Sequence, residues 1–260
     1  MRIIFFGTPK FIEPIINKIE ERFEVVKVIR TPQQFNNRAI EQLKSLRPDL
    51  FVVAAYGQIL PKEVLSIPSL GAINIHPSIL PKYRGASPIQ SAILNGDKKT
   101  GVTFIKMDEE IDHGPIIEQF EEETRDDDTF ETLAKRLFEK AADEIVQVVE
   151  EYSENQTFKP QDDSKATYTK LLTREDGFIN LQTLEIGNWK LDIERAVRAF
   201  YPWPSVWTHY PLIPQNSPKT LIKLLPEQKI QVEGKNPMSY KDFKNGYEKG
   251  QEFLTKLNLI

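Results

Sequence analysis

Cysteine is absent from all 260 residues. That removes disulfides, thiolate metal sites and cysteine nucleophiles together. It also excludes a disulfide-stapled secreted scaffold and fits a reducing compartment, so a cytoplasmic location is expected. Long apolar runs are missing as well. None approaches the ~20 residues of a membrane span, and the run Met1 to Phe6 is too short for the core of a signal peptide. There is no excess of positive charge: 34 Lys and Arg face 38 Asp and Glu, a formal net charge of −4. That balance argues against broad attraction to nucleic acid. A local basic patch remains open to Lys219, Lys223, Lys235, Lys241, Lys244 and Lys249, although a solvated face is the plainer reading. Internal repeats and low-complexity tracts are also lacking. Gly7-Thr8-Pro9 matches neither the dinucleotide nor the P-loop pattern. Ser78 and Ser87 sit in no Gly-x-Ser-x-Gly elbow.

What is present alternates in period. Arg2 to Phe6 is apolar and ends at Gly7 and Pro9, which reads as a buried strand and a turn. Phe11, Ile12, Ile15, Ile16 and Ile19 recur at helical spacing, and Glu24 to Ile29 is strand-like again. A β-α-β start implies a parallel sheet with a right-handed crossover. Arg38 to Leu46 reads as a helix ended by Pro48. Leu50 to Ala55 is a nearly continuous apolar strand of the kind buried on both faces. Ala72 to Ile75 repeats it, and Ser87 to Leu94 reads as a helix. Residues 101–107 predict a further strand, with Gly114 to Phe120 pairing to it as a hairpin. The acidic residues from Glu121 to Asp128 lead into a long helix striped by Leu133, Leu137, Ala141, Ile145 and Val148. Acid at a helix start complements the macrodipole, so no metal is expected there. The fold class expected is α/β: a Rossmann-like, mostly parallel sheet flanked by helices over residues 1–152. A polar linker is expected over 153–166. Over 167–260 a small β-rich domain, a reduced OB-like barrel, should follow, in which Trp189, Trp203, Trp207, Tyr201 and Tyr210 cluster with five prolines.

Three segments place polar groups at strand ends, where open α/β sheets bind ligands. They are Ala54-Ala55-Tyr56-Gly57, Asn74-Ile75-His76-Pro77 and the loop Asp108 to Gly114, which carries His113. Strand alternation puts Asn74 and His76 on one face. Acyl transfer to an amine needs a donor for the developing oxyanion and a group that cycles protons near pH 7. Asn74 offers an amide donor. His76 has the side chain whose ordinary pKa lies nearest working pH, and Asp112 could orient it or raise its pKa. Each residue alone has a plainer reading: a strand-end histidine is more often structural, and an aspartate before His-Gly is commonly a turn residue.

The runs Ile3 to Pro9, Val53 to Pro61, Asn74 to Ala86 and Gly101 to Gly114 resemble the methionyl-tRNA formyltransferase family over most of residues 1–150. The resemblance implies a 10-formyltetrahydrofolate-dependent formyltransferase. It places the family's catalytic asparagine, histidine and aspartate on Asn74, His76 and Asp112. Folate-contacting positions fall on Ser78, Ile79, Leu80 and Pro81, and on Tyr56, Gly57, Gln58, Ile59 and Leu60, with Asp108 added from the following loop. Thr167 to Lys170, Asp176 to Ile179, Arg198 to Pro204 and Met238 to Phe243 resemble the family's second module. The implied acceptor is methionyl-initiator-tRNA, used in translation initiation, with the enzyme a monomer away from any membrane and without a metal. The alternative acceptor is a small-molecule amine such as a nucleotide-linked amino sugar.

Two features depart from the family pattern. The basic, Gly-rich insertion that follows its second strand is replaced by a short passage from Val28 toward Arg38. About thirty residues between Trp207 and Met238 are few for a full barrel of ~5–6-residue strands. Read alone, Trp203 between prolines is a packing anchor.

Overall fold

A computed structural model describes residues 1–260 apart from 156–157, 187–191 and 213–219. Trp189, Lys219, Pro214 and Pro218 therefore lie outside the described residues. The chain divides into two compact units. The first holds Met1–Ile89, Lys98–Thr124 and Thr132–Leu171; the second holds Gln90–Asp97, Arg125–Glu131 and Leu172–Ile260.

In chain order the first elements are β1 (Arg2–Phe6), α1 (Glu13–Glu20), β2 (Glu24–Ile29), α2 (Asn37–Ser45), β3 (Leu50–Ala54), α3 (Lys62–Leu65) and β4 (Ala72–His76). They continue with β5 (Arg84–Gly85), α4 (Pro88–Asn95), β6 (Lys99–Lys106), β7 (Ile116–Glu123), α5 (Phe130–Glu154) and β8 (Tyr168–Thr169). Six strands form one sheet in the order β2-β1-β3-β4-β6-β7. The pairs β1–β2, β1–β3 and β3–β4 are parallel, whereas β4–β6 and β6–β7 are antiparallel. The mostly parallel, Rossmann-like sheet expected from the alternating periods is thus present.

Local chemistry explains the boundaries. The Asn36 side chain caps α2 by accepting from the Ala39 amide at 3.0 Å, and so satisfies one of the donors a helix start leaves open. Every residue of β3 is buried, as its continuous apolar run predicts. On one face of the sheet, Ile4, Phe6, Phe51 and Val53 pack with Leu43 of α2 and Val64 of α3. Gly7 ends β1 where the chain passes close to β3: a Cβ there would lie 2.6 Å from the Ala54 carbonyl oxygen. That is the gap between β1 and β3 across which the strand order reverses, the place where doubly wound sheets open a crevice.

The register of β6 changes one expectation. His76 pairs with Thr103 and Ile73 with Lys106, so the carboxyl end of β6 lies beside the start of β4. The loop from Asp108 to Gly114 therefore does not leave the sheet at the same end as the segments after β3 and β4. An antiparallel strand cannot be told from a parallel one by an apolar run alone.

The second unit contains β9 (Ile179–Asn180), β10 (Glu185–Ile186), α6 (Ile193–Phe200), β11 (Val206–Tyr210), β12 (Thr220–Leu225), β13 (Lys229–Val232), β14 (Met238–Ser239), α7 (Tyr240–Gly246) and α8 (Gly250–Lys256). The last four strands make an antiparallel sheet in sequential order, the β-rich module expected here. The packing-anchor role expected of Trp203 falls to Trp207 instead. Trp203 is 56% exposed, while Trp207 is 8% exposed. The indole Nε1 of Trp207 donates to the Arg174 carbonyl at 2.9 Å, and its ring packs on Phe178. Trp207 is the packing anchor: it shares its face of β11 with the exposed His209, and Phe178 and Arg174 are what cover it.

Candidate active site

Strand β4 carries Asn74 and His76 two residues apart, so the pleat points both to one side. The Asn74 Nδ2 donates to Oδ1 of Asp112 at 2.9 Å. The His76 Nδ1 lies 3.4 Å from the other carboxylate oxygen, Oδ2. The same Oδ2 accepts from the Gly85 amide at 2.8 Å. On the far side of the ring, His76 Nε2 is 2.9 Å from the Tyr83 carbonyl oxygen. A carbonyl only accepts, so Nε2 carries a proton in this arrangement and Nδ1 is the nitrogen turned to Asp112. His76 is 4% exposed, which keeps bulk water from competing for these bonds.

Asp112 reaches this place from a loop held in an unusual backbone shape. Its φ is +50°, in the left-handed region that non-glycine residues seldom occupy. Gln161 closes the loop from outside by donating from Nε2 to the carbonyls of Asp112 and Gly114, both at 2.8 Å. Two residues on from Asp108, the Glu110 amide donates to Asp108 Oδ1 at 2.9 Å. His113 is not part of the Asn74, His76 and Asp112 group. Its Nδ1 lies 2.7 Å from Asp108 Oδ2, and the hydrogen bond to that carboxylate holds the imidazole above its ordinary pKa.

The segments expected to meet a folate are arranged unevenly. Tyr56 and Leu60 belong to the core. The Tyr56 hydroxyl donates to the Thr31 carbonyl at 3.0 Å, and burial pushes its phenol up in pKa. Gln58 clasps the Gln33 main chain, accepting from its amide at 2.8 Å and donating to its carbonyl at 2.7 Å. What this loop presents outward is the main chain at Ala55 and Gly57, together with Ile59, which is 65% exposed. After β4, Ser78 Oγ donates to the Lys82 carbonyl at 2.6 Å. The Leu80 amide donates to Thr103 Oγ1 at 3.1 Å, and Gln119 Nε2 donates to the Leu80 carbonyl at 2.8 Å. Leu80 is buried, and Ile79 and Pro81 are half-buried. Among the described residues, no group of three or more His, Asp or Glu side chains is placed to hold a metal ion.

The formyl transferase family model matches residues 18–149, which carry β2 to β7 and the polar group just described. A methionyl-tRNA formyltransferase from Roseiflexus sp. (strain RS-1) is 38% identical over 248 residues, covering 82% of this chain and 75% of its own length. The chain belongs to the formyl transferase family. A second relative of the same name, from Dictyoglomus thermophilum, is 31% identical and covers 95% of this formyltransferase and 97% of its own length. Among solved structures, methionyl-tRNA formyltransferase from Clostridium thermocellum matches with a TM-score of 0.67 at 20% identity, over 92% of this chain and 98% of that one. That last likeness is one of fold.

Several residues around the site of this formyltransferase were not singled out by their sequence. Arg84 is 1% exposed, and it is held by Asp163 at 2.6 Å, Gln161 at 2.8 Å and the Tyr168 hydroxyl at 3.3 Å. Gln161 and Asp163 fall in the polar stretch read as a linker. A composition rich in Asp, Ser and Lys beside Pro160 signals a loop and nothing about what the loop binds. Thr103 had only its place in a strand to mark it. Its hydroxyl donates to the Ser78 carbonyl at 2.6 Å.

Proposed function

We propose that this enzyme moves the formyl group of 10-formyltetrahydrofolate to the amino group of methionyl-initiator-tRNA, in the cytoplasm. The observation that carries the chemistry is the meeting of Asn74, His76 and Asp112 on one face of β4. The identity and coverage of the relatives named for this acceptor support the choice of substrate. A cysteine-free chain is consistent with the reducing compartment.

The residues that line the loops fit a reduced folate. Open main chain at Gly57 and an exposed Ile59 offer amide groups and an apolar surface to a flat, hydrogen-bonding ring. The donor supplies the one-carbon unit; the attacking amine pushes negative charge onto the formyl oxygen, and the departing nitrogen must take up a proton. One hydrogen of the Asn74 amide goes to Asp112 and the second serves the formyl oxygen. His76 has its Nε2 proton committed to the Tyr83 carbonyl, so proton exchange runs through Nδ1. Asp112 sits beside that nitrogen and stabilises the imidazolium that forms. The proton lost by the attacking amine is the one returned to the leaving nitrogen, and the three side chains end as they began.

The acceptor is tested by offering methionyl-tRNA and a dTDP-4-amino sugar with the same formyl donor. Formylation of the charged tRNA is expected. Turnover with the sugar alone would overturn the acceptor while leaving the chemistry in place.

A further inference from the structure

We propose that Gln161 is a positioning residue for formyl transfer, which acts by holding the backbone of Asp112 in the shape that aims its carboxylate. Its carboxamide is used at both ends. The Oε1 accepts from Arg84 Nε at 3.1 Å and from Nη2 at 2.8 Å. The Nε2 spends its two hydrogens on the Asp112 and Gly114 carbonyls, each at 2.8 Å. Arg84 decides which way the amide faces. A guanidinium only donates and keeps its charge, and this one is 1% exposed, so the oxygen of Gln161 must turn to it. The NH2 group must then turn to the loop.

The loop needs such a hold. Asp112 has a φ of +50°, and a non-glycine residue stays in that region only where its surroundings over-determine it. Gln161 fixes the carbonyls on either side of His113, so the Asp112 side chain leaves the backbone toward Asn74, His76 and the Gly85 amide. The segment that bears Gln161 is itself anchored. Lys159 exchanges two backbone hydrogen bonds with Ile116 of β7, at 2.8 and 3.2 Å. Asp163 meets Arg84 at 2.6 Å and stands 3.5 Å from His113 Nε2. A stretch after the long helix thereby reaches the loop that carries Asp112.

The inference rests on the role proposed for Asp112, and the experiment separates the two. Gln161→Glu keeps an oxygen for Arg84 and sets a second oxygen against the two loop carbonyls, breaking only the loop half of the clasp. Its kcat is expected to fall about 10- to 100-fold, the scale of a small misplacement of a reacting group. The KM for the folate should stay within about twofold. In an Asp112→Asn background the same substitution should cost no further rate, because a residue that works through Asp112 has nothing left to position. A parent-like kcat in Gln161→Glu, or an equal further loss in the Asp112→Asn background, would overturn the proposal. Should Gln161→Glu fail to fold, Gln161→Ala is read by the same criteria. A parent-like rate in Asp112→Asn would overturn the site assignment and this inference with it. A slow Asp112→Asn beside a parent-like Gln161→Glu would overturn this inference alone.

Discussion

Asn74 and Asp112, 38 residues apart, meet through a 2.9 Å hydrogen bond from the amide of one to the carboxylate of the other. The carboxylate accepts at the same time from the Gly85 amide at 2.8 Å. Both of its oxygens are therefore engaged by donors, and the side chain has one orientation. Asp112→Asn puts an NH2 group against one of those donors and withdraws the charge next to His76. Turnover should fall by about 10²-fold or more, the scale of a general acid–base group. Asn74→Ala should cost on the order of 10²- to 10³-fold, as for loss of an oxyanion donor. Steady-state kcat measured on folded variants decides it, and a rate near the parent's in either would sink the assigned roles.

His113 gives a prediction in pH. The hydrogen bond that its ring donates to the Asp108 carboxylate raises its pKa above the ordinary value, which is about 6.5. A folded-state pKa above the unfolded one means that the protonated form is stabilised by folding. The contribution is full below about pH 6.5 and disappears as pH rises through the folded pKa. Asp108→Asn should bring the imidazole back toward its ordinary value. Titration of the ring protons by NMR reads this directly; a midpoint at or below about 6.5 in the parent would contradict the pairing.

How much of this was legible depends on the range of the signal. The continuous apolar run of β3 marked a buried parallel strand, since neighbouring residues alone report burial on both faces. Asn74 and His76 could be put on one side of β4 because alternation is local. Asp112 could be named as a partner for His76 only by its chemistry and by its place in a motif resembling a family, for an aspartate before His-Gly is commonly a turn residue. Nothing local shows that β6 runs antiparallel to β4. Gln161 was equally hidden: its partners Arg84 and Asp112 lie 77 and 49 residues away, and its own surroundings are polar. The exposure of Trp203 was misread for a similar reason. Flanking prolines say that the backbone turns there, not which way the indole points.

The short passage between β2 and α2 bears on the acceptor. Its one basic residue, Arg30, is paired with Glu13 at 2.8 Å, leaving little there for phosphate. Two phosphate contacts made elsewhere would still weaken binding on the order of tenfold between 50 and 200 mM salt. The KM for charged tRNA is expected to rise by at least that factor across the range, while the KM for the folate changes less. A flat dependence for the acceptor would count against a polyanion and in favour of a small amine.

The difference in burial between Trp203 and Trp207 can be measured in the second unit. Trp207 is 8% exposed, donates to the Arg174 carbonyl at 2.9 Å and carries the Arg174 guanidinium 4.9 Å above its ring. Trp207→Ala removes a buried ring and leaves that carbonyl without its donor. The expected loss is about 3 kcal/mol or more, the usual scale for deleting a buried aromatic. Trp203, at 56% exposure, should tolerate alanine within about 0.5 kcal/mol, as surface positions do. Denaturant midpoints compare the two, and iodide quenching adds a check. Iodide should quench less of the total tryptophan emission in Trp203→Ala, because an accessible indole has been removed. Trp207→Ala, compared under native conditions, should lose mainly emission that iodide does not reach. A larger loss of stability from Trp203→Ala than from Trp207→Ala would show that the indole between the prolines carries the packing after all.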